Sequence, residues 1–273
     1  MSGTLYIVAT PIGNLEDITF RAVRILGAVD RIACEDTRQT RKLLDRYGIS
    51  KPLVSYHEHN EQTRSEELLR ELEAGKNIAL VSDAGTPLIS DPGYRLVKSA
   101  HDRGIPVSPV PGPAALLAAL SASGLPTDSF VFLGFLPPKK GQRRKVLENC
   151  KTLPATLVFY EAPHRMVETL QDIEETLGAR PIVLARELTK IHEEFLRGTA
   201  AELRAGLAQR PALKGEITLM VGKSDSAAVD EQPLESAVVE LVAAGHSRMQ
   251  AIKMVARRRG LSKRDVYKEL HER

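Results

Sequence analysis

The chain of 273 residues is 42% hydrophobic, 27% charged and 4% aromatic, with no tryptophan; this suffices for one large or two medium cores and is too aliphatic for a disordered chain. Lys and Arg total 38 against 35 Asp and Glu, a net of +3, yet nine basic and three acidic residues fall between His246 and Arg273. A mildly acidic body thus ends in a basic tail, which suits a polyanionic partner. Cys34 and Cys150 cannot build a disulfide framework or a four-ligand zinc site. No run approaches the roughly 20 apolar residues of a bilayer span, and the start lacks the basic and apolar regions of a secretory signal, so a soluble, cytoplasmic protein is expected.

In chain order, short apolar runs at Leu5–Ala9, Ile32–Cys34, Leu53–Tyr56, Ile78–Val81 and Val107–Val110 read as buried strands. Between them lie helical patterns at Thr19–Leu26, Thr37–Tyr47, Thr63–Ala74 and Tyr94–Asp102. Leu68, Leu69 and Leu72 fall at helical spacing and should bury one face. This alternation predicts a largely parallel sheet with helices on both faces. Past Gly124-Leu125-Pro126 come strands at Phe130–Leu133, Thr156–Tyr160, Ile182–Ala185 and Ile217–Val221, with helices near Arg143–Asn149, Met166–Leu177 and Ala200–Ala208.

The segment Ser224–Pro233 is polar and reads as a linker. Three short helical patterns follow, built on Leu234–Val242, Ile252–Val255 and Val266–Leu270; Ser247 and Ser262 stand at expected N-caps, and Gly245 and Gly260 at expected stops. The fold class is α/β, with two α/β domains (1–114 and 115–223), a ligand cleft between them, and a small basic helix-turn-helix-like domain (234–273).

No G-x-G-x-x-G occurs, and Gly222-Lys223-Ser224 lacks the first glycine of a Walker loop, since position 217 is Ile217. His57-Glu58-His59 has no third ligand nearby, and Ser82, Ser90, Ser121 and Ser123 lack a nucleophile-elbow context, so neither a metal nor serine hydrolysis is expected.

Three loops at strand ends combine glycine with proline: Ala9–Leu15, Val81–Gly93 and Val110–Ala115. Any one could be a plain turn. Together, at the carboxyl edge of a parallel sheet, they suggest a small-ligand pocket. They carry no lysine, arginine or helix-opening glycine cluster for phosphates, so a neutral or cationic ligand with an adenosine-like body fits best, and S-adenosylmethionine has that character.

The strings Thr10–Leu15, Cys34–Arg38, Ser82–Pro87, Phe159–Arg165 and Ala185–Lys190 resemble those of the ribosomal RNA small subunit methyltransferase I family, within the tetrapyrrole-methylase-like superfamily. The resemblance runs from Thr4 to about Val221 and recurs in the tail. It implies S-adenosylmethionine-dependent methylation of a cytidine ribose 2′-hydroxyl in the decoding region, a donor cleft between two α/β domains, and a homodimer acting on small-subunit ribosomal RNA or the assembled subunit. It places the donor on Pro11, Ile12 and Gly13; on Asp83, Ala84, Gly85, Thr86 and Ile89; on Ala114 and Ala115; and on Glu161 and Leu188.

Candidates for the catalytic side are Glu35, Asp36 and Arg38, and Glu187 and Lys190, where a carboxylate beside a cation could orient a hydroxyl; ion pairs that merely fix each loop account for them equally well. Tyr160 could contact ribose or base, and His164 could do so or cap a helix. RNA contacts are expected at Lys139, Lys140, Arg143, Arg144, His164 and Arg165, with Lys145 and Lys151 in the same basic stretch. In the tail they are expected at Arg257, Arg258 and Arg259, beside Lys263 and Arg264. The rival readings are carbon methylation of a tetrapyrrole, against which the basic tail argues, and a non-catalytic RNA-binding assembly factor that binds no donor.

Overall fold

The structure, a computed structural model, describes residues 2–210, 212–224, 233–259 and 261–270, with only the backbone at 257–259 and 265. Strands β1 (Leu5–Val8), β2 (Arg31–Cys34), β3 (Leu53–Ser55), β4 (Ile78–Val81) and β5 (Val107–Val110) form a sheet in the order β3-β2-β4-β1-β5. Every pairing in it is parallel. Helices α1 (Phe20–Ala28), α2 (Thr37–Arg46), α3 (Glu61–Glu73) and α4 (Tyr94–Asp102) cover both faces.

Leu68, Leu69 and Leu72 of α3 are fully buried, packing with Leu96 of α4 against Leu5, Ile78 and Leu80. Each such side chain contributes about 1.5–3 kcal/mol. On the opposite face Ile25 and Leu26 of α1 and Leu44 of α2 meet Val8, Ile32 and Val81. Strands buried on both sides explain the unbroken apolar runs. Thr19 starts α1 by accepting the Ala22 amide at 3.1 Å.

The second sheet contains β6 (Phe130–Phe135), β7 (Thr156–Glu161), β8 (Ile182–Arg186), β9 (Glu194–Gly198) and β10 (Ile217–Val221), ordered β6-β7-β10-β8-β9. It is mixed: β6 runs parallel to β7, whereas β10 is antiparallel to β7 and β8, and β8 to β9. One face carries α6 (Lys140–Asn149), α7 (Met166–Leu177) and α8 (Ala200–Ala208). The other is covered by α5 (Ala115–Ser123), whose Leu116, Ala119 and Leu120 pack on Val158, Val183 and Met220. Neither α5 nor β9 stands out in the sequence pattern.

The tail holds α9 (Leu234–Ala243), α10 (Arg248–Arg259) and α11 (Lys263–Glu269) around Leu234, Val238, Ile252, Val255 and Val266. Ser247 accepts the Gln250 amide while the Gln250 side chain accepts the Ser247 amide, a reciprocal cap that opens α10. Gly245 stops α9 at φ +94°. Gly260 lies outside the described residues. No described helix is long and apolar enough to cross a membrane.

Candidate active site

The three glycine–proline loops meet at the carboxyl edge of the parallel sheet. Thr10 and Gly85 exchange backbone hydrogen bonds of 2.8 and 3.0 Å, and the Thr10 hydroxyl donates to the Ser82 carbonyl at 3.1 Å. The Thr86 hydroxyl donates to the Pro113 carbonyl at 3.2 Å, tying the second loop to the third. Gly85 sits at φ +87°, a conformation that suits glycine, and a Cβ there would touch Ile12 Cγ2 at 3.4 Å.

Between these loops and the second sheet opens a cavity of about 360 Å³, within the usual range for a small-molecule site. From the first half of the chain, Ile12, Asp83–Thr86, Ile89, Ala114 and Ala115 line it; from the second, Glu161 and Leu188 do. Pro11 and Gly13 flank Ile12 without lining the cavity. Gly13 instead lets Thr189 and Lys190 approach: a Cβ would fall 2.5 Å from Lys190 Cγ and 2.8 Å from Thr189 Oγ1.

Further walls come from Ser90 and Asp91, from Phe135 and Tyr160, and from Gly215–Thr218. Of these only Tyr160 is marked out by sequence reasoning. The signal for Ser90 and Asp91 is their place within the second loop, and for Phe135 and Gly215–Thr218 none exists beyond the strand pattern.

Four lining residues are acidic (Asp83, Asp91, Glu161 and Glu216), and none of the lining residues is Lys, Arg or His. Two of the four are neutralised. Glu161 is 2% exposed, faces the Arg165 guanidinium at 3.2 Å, and accepts the Thr169 hydroxyl at 2.7 Å and the Ala162 amide at 2.8 Å. Glu216 holds Lys190 Nζ at 3.0 Å. Asp83 accepts the Asp36 amide at 2.9 Å. The Asp91 carboxyl is pushed up to about 6, by burial first and then by the carboxylates of Glu35 and Asp83. Burial likewise raises Glu35, helped by Asp83. Among the described residues no group of three or more His, Cys, Asp or Glu is placed to hold a metal ion.

None of the catalytic candidates Glu35, Asp36, Arg38, Glu187 and Lys190 lines the cavity. Asp36 caps α2, accepting the Arg38 amide at 2.8 Å and pairing with its guanidinium at 2.9 Å; these bonds hold its carboxyl down at about 2. Glu187 accepts Lys190 Nζ at 2.8 Å and the Glu216 amide at 3.0 Å, which lowers its pKa. Burial works to lower the Lys190 pKa, but its bonds to Glu187 and Glu216 outweigh it and raise the value. Both groups thus hold loops in shape. Glu187 and Thr189 adopt φ +52° and +65°, so this second-sheet loop is strained where it meets the cavity.

For the basic segment, Lys139, Lys140 and Lys145 are exposed, as is His164. Arg143 requires a correction. It is 1% exposed, with Nε 2.7 Å from Asp172, and presents no charge to solvent. Arg144 pairs with the other oxygen of Asp172 at 2.8 Å and with Glu175. Arg165 is turned inward onto Glu161. Arg257, Arg258 and Arg259 end α10, but their side chains lie outside the described residues.

Residues 4–204 match the family model described as Tetrapyrrole (Corrin/Porphyrin) Methylases. Ribosomal RNA small subunit methyltransferase I of Halalkalibacterium halodurans is 53% identical over 99% of this chain and 95% of its own length. The protein of that name from Bacillus subtilis is 48% identical over 98% of this chain and 94% of its own. Among solved structures, diphthine synthase superposes with a TM-score of 0.65 at 12% identity, covering 81% of this chain and 90% of that one. Uroporphyrin-III-C-methyltransferase from Thermus thermophilus gives 0.58 at 22% identity, covering 81% and 95%. These two likenesses concern the fold.

Proposed function

The chain belongs to the ribosomal RNA small subunit methyltransferase I family of tetrapyrrole-type methylases, and from that premise we propose that it transfers a methyl group from S-adenosylmethionine to the ribose 2′-oxygen of a cytidine in the decoding region of small-subunit ribosomal RNA. It is an S-adenosylmethionine-dependent methyltransferase. The observation that carries the reading is a cavity with acidic residues and no cation on its walls, in a chain 53% identical to a named ribosomal RNA methyltransferase.

The residues present fit the donor. Ile12, Ala84, Gly85, Ala115 and Leu188 offer an apolar cradle for an adenosine-like body, and Gly85 permits close backbone approach. Asp83 and Asp91 favour a positive ligand, and a phosphate-rich nucleotide would meet repulsion. When bound, the donor supplies an electrophilic methyl carbon on a sulfonium. The chain's own work is to exclude water and to hold the attacking oxygen in line, which can supply several kcal/mol, up to about 7–11 for ideal orientation.

RNA phosphates are assigned to the exposed Lys139, Lys140, Lys145 and His164, and to the tail around Arg257–Arg259 with Lys263 and Arg264. The same reading divides the chain into 1–114, 115–223 and 234–273 and makes the assembly a homodimer. Labelled donor should be offered to assembled small subunits, to free ribosomal RNA and to a precorrin-type pigment. Mass spectrometry of digested RNA is expected to show 2′-O-methylcytidine. Methyl found on pigment carbon instead, or no donor binding at micromolar protein, would overturn the assignment.

A further inference from the structure

Two carboxyl groups on the cavity wall, Asp91 and Glu216, lie outside the family strings, and Glu216 is already paired with Lys190. We propose that Asp91 is the catalytic base that receives the proton of the attacking ribose hydroxyl; this rests on the 2′-O-methylation reading above.

The other carboxylates near Asp91 are either held by partners or absent from the wall, and Glu35 does not line the cavity. Asp36 is the cap of α2 and Glu187 is bound to Lys190; neither lines the cavity. Glu161 lines it but is spent on Arg165, Thr169 and the Ala162 amide. Glu216 holds Lys190, and Asp83 anchors the Asp36 amide. Asp91 lines the cavity, is half-buried, and among the described residues has only the Ser82 hydroxyl beside it as a hydrogen-bonding partner.

Its backbone is placed at a cost. Leu88 and Ser90 take left-handed φ values of +71° and +67° although neither is glycine. Such strain persists where the surroundings over-determine it, commonly at functional sites. Those surroundings are visible here. A Cβ on Gly93 would come within 2.8 Å of Leu80, and one on Gly134 of β6 would lie 3.3 Å from Ser90 Oγ, so core and second sheet clamp the loop from two sides. Tyr160 of β7 shares the cavity wall, near enough that the Asp91 charge raises its phenol pKa further after burial.

The charges acting on Asp91 are Glu35 at the end of β2 and Asp83 in its own loop. With burial they bring its carboxyl to about 6, close to the pH at which a base must accept and then shed a proton. In the step, the hydroxyl oxygen forms a C–O bond to the methyl carbon as the C–S bond breaks and its electron pair leaves on sulfur. The hydroxyl proton passes to the Asp91 carboxylate and from there to solvent. Charge and atoms balance without a metal or an oxidant.

The test uses the full chain and Asp91→Asn, which keeps size and shape. At saturating donor and RNA, D91N is expected to lower kcat by about 10²-fold or more, within the range for general-base assistance. Donor affinity by calorimetry should fall by no more than about thirtyfold, the worth of one charge on the wall, the rate of the parent protein at saturating donor should fall as pH drops below about 6, and this limb should vanish in D91N. Carboxyl-carbon NMR of the parent should show a titration near pH 6 that is missing in the variant, a readout independent of turnover. Asp91→Glu should restore part of kcat. An unchanged kcat in D91N, or a donor affinity that collapses while kcat holds, would overturn the proposal, the second outcome making Asp91 a donor ligand. Should the parent protein itself leave the ribose 2′-oxygen unmethylated, the reading beneath it fails and the base assignment falls with it.

Discussion

Asp91 carries a stability consequence that can be measured apart from activity. Its carboxyl rises from an ordinary 3.8 to about 6 in the folded chain, so between those values the native state binds more protons than the unfolded one, and stability falls as pH rises through the window. D91N should therefore raise Tm at pH 7–8 and match the parent below pH 4, as scanning calorimetry would show. Asp172 illustrates the opposite case. Burial would raise its pKa, but Arg144 and Arg143 hold it below the carboxylate range. Asp172→Ala would leave the Arg143 guanidinium buried without its main partner, at a cost of about 3–5 kcal/mol in urea unfolding. Gly85→Val forces a β-branched residue to φ +87°, costing about 1–2 kcal/mol, with at least a tenfold expected loss of donor affinity by calorimetry. At this scale the sequence shows which loops are unusual, because glycine and proline mark them. It does not show that Arg143 is buried or that Asp91 faces the cavity, since both depend on partners from elsewhere in the chain: Asp172 in one case, and β6 and Tyr160 in the other.

Elements were legible in proportion to how clearly they alternate between core and solvent. Tyr94–Asp102 and Met166–Leu177 coincide with α4 and α7 because their buried faces repeat at helical spacing. The run that forms α5 is alanine- and leucine-rich throughout, so it presents no polar stripe, and its direction is set by the sheet beneath it. Strand β9 is a half-buried edge with Glu194 and Arg197 in it, a pattern no different from a polar loop until β8 pairs with it. That edge is fastened by charge. Glu194 receives Arg210 at 2.6 Å and Arg186 at 3.1 Å, and Arg210 above all holds its carboxyl down at about 2. A depressed acid contributes stability above its unfolded value and loses it as the carboxylate protonates. Thermal unfolding should therefore show a loss between about pH 4.5 and 2 that Glu194→Gln abolishes.

At the scale of the whole molecule, cavity and tail divide two tasks that oppose each other electrostatically. On the proposed function, phosphates are repelled where the walls are acidic, so RNA would be gripped elsewhere, and the concentration of positive charge after His246 offers a place. Replacing Arg257, Arg258 and Arg259 with Ser should weaken binding to the small subunit and reduce the slope of log affinity against log salt by about one unit per lost phosphate contact. Filter binding across a salt series would check it, with calorimetric donor affinity unchanged. An equal slope in the triple variant would instead make the tail a packing or dimerisation element.

The imbalance of charge on the cavity wall also gives the catalytic cycle a direction. The donor enters as a sulfonium and its remnant leaves as an uncharged thioether, while Asp83 and Asp91 stay where they are. At an effective dielectric of about 20, one unit charge about 8 Å from an unpaired carboxylate is worth about 2 kcal/mol, roughly thirtyfold in affinity. Each turnover thus erases the attraction that recruited its reagent, so the spent molecule is released by the chemistry that spent it. The preference should shrink as Asp91 gains its proton in mild acid, so that product inhibition deepens there relative to donor binding.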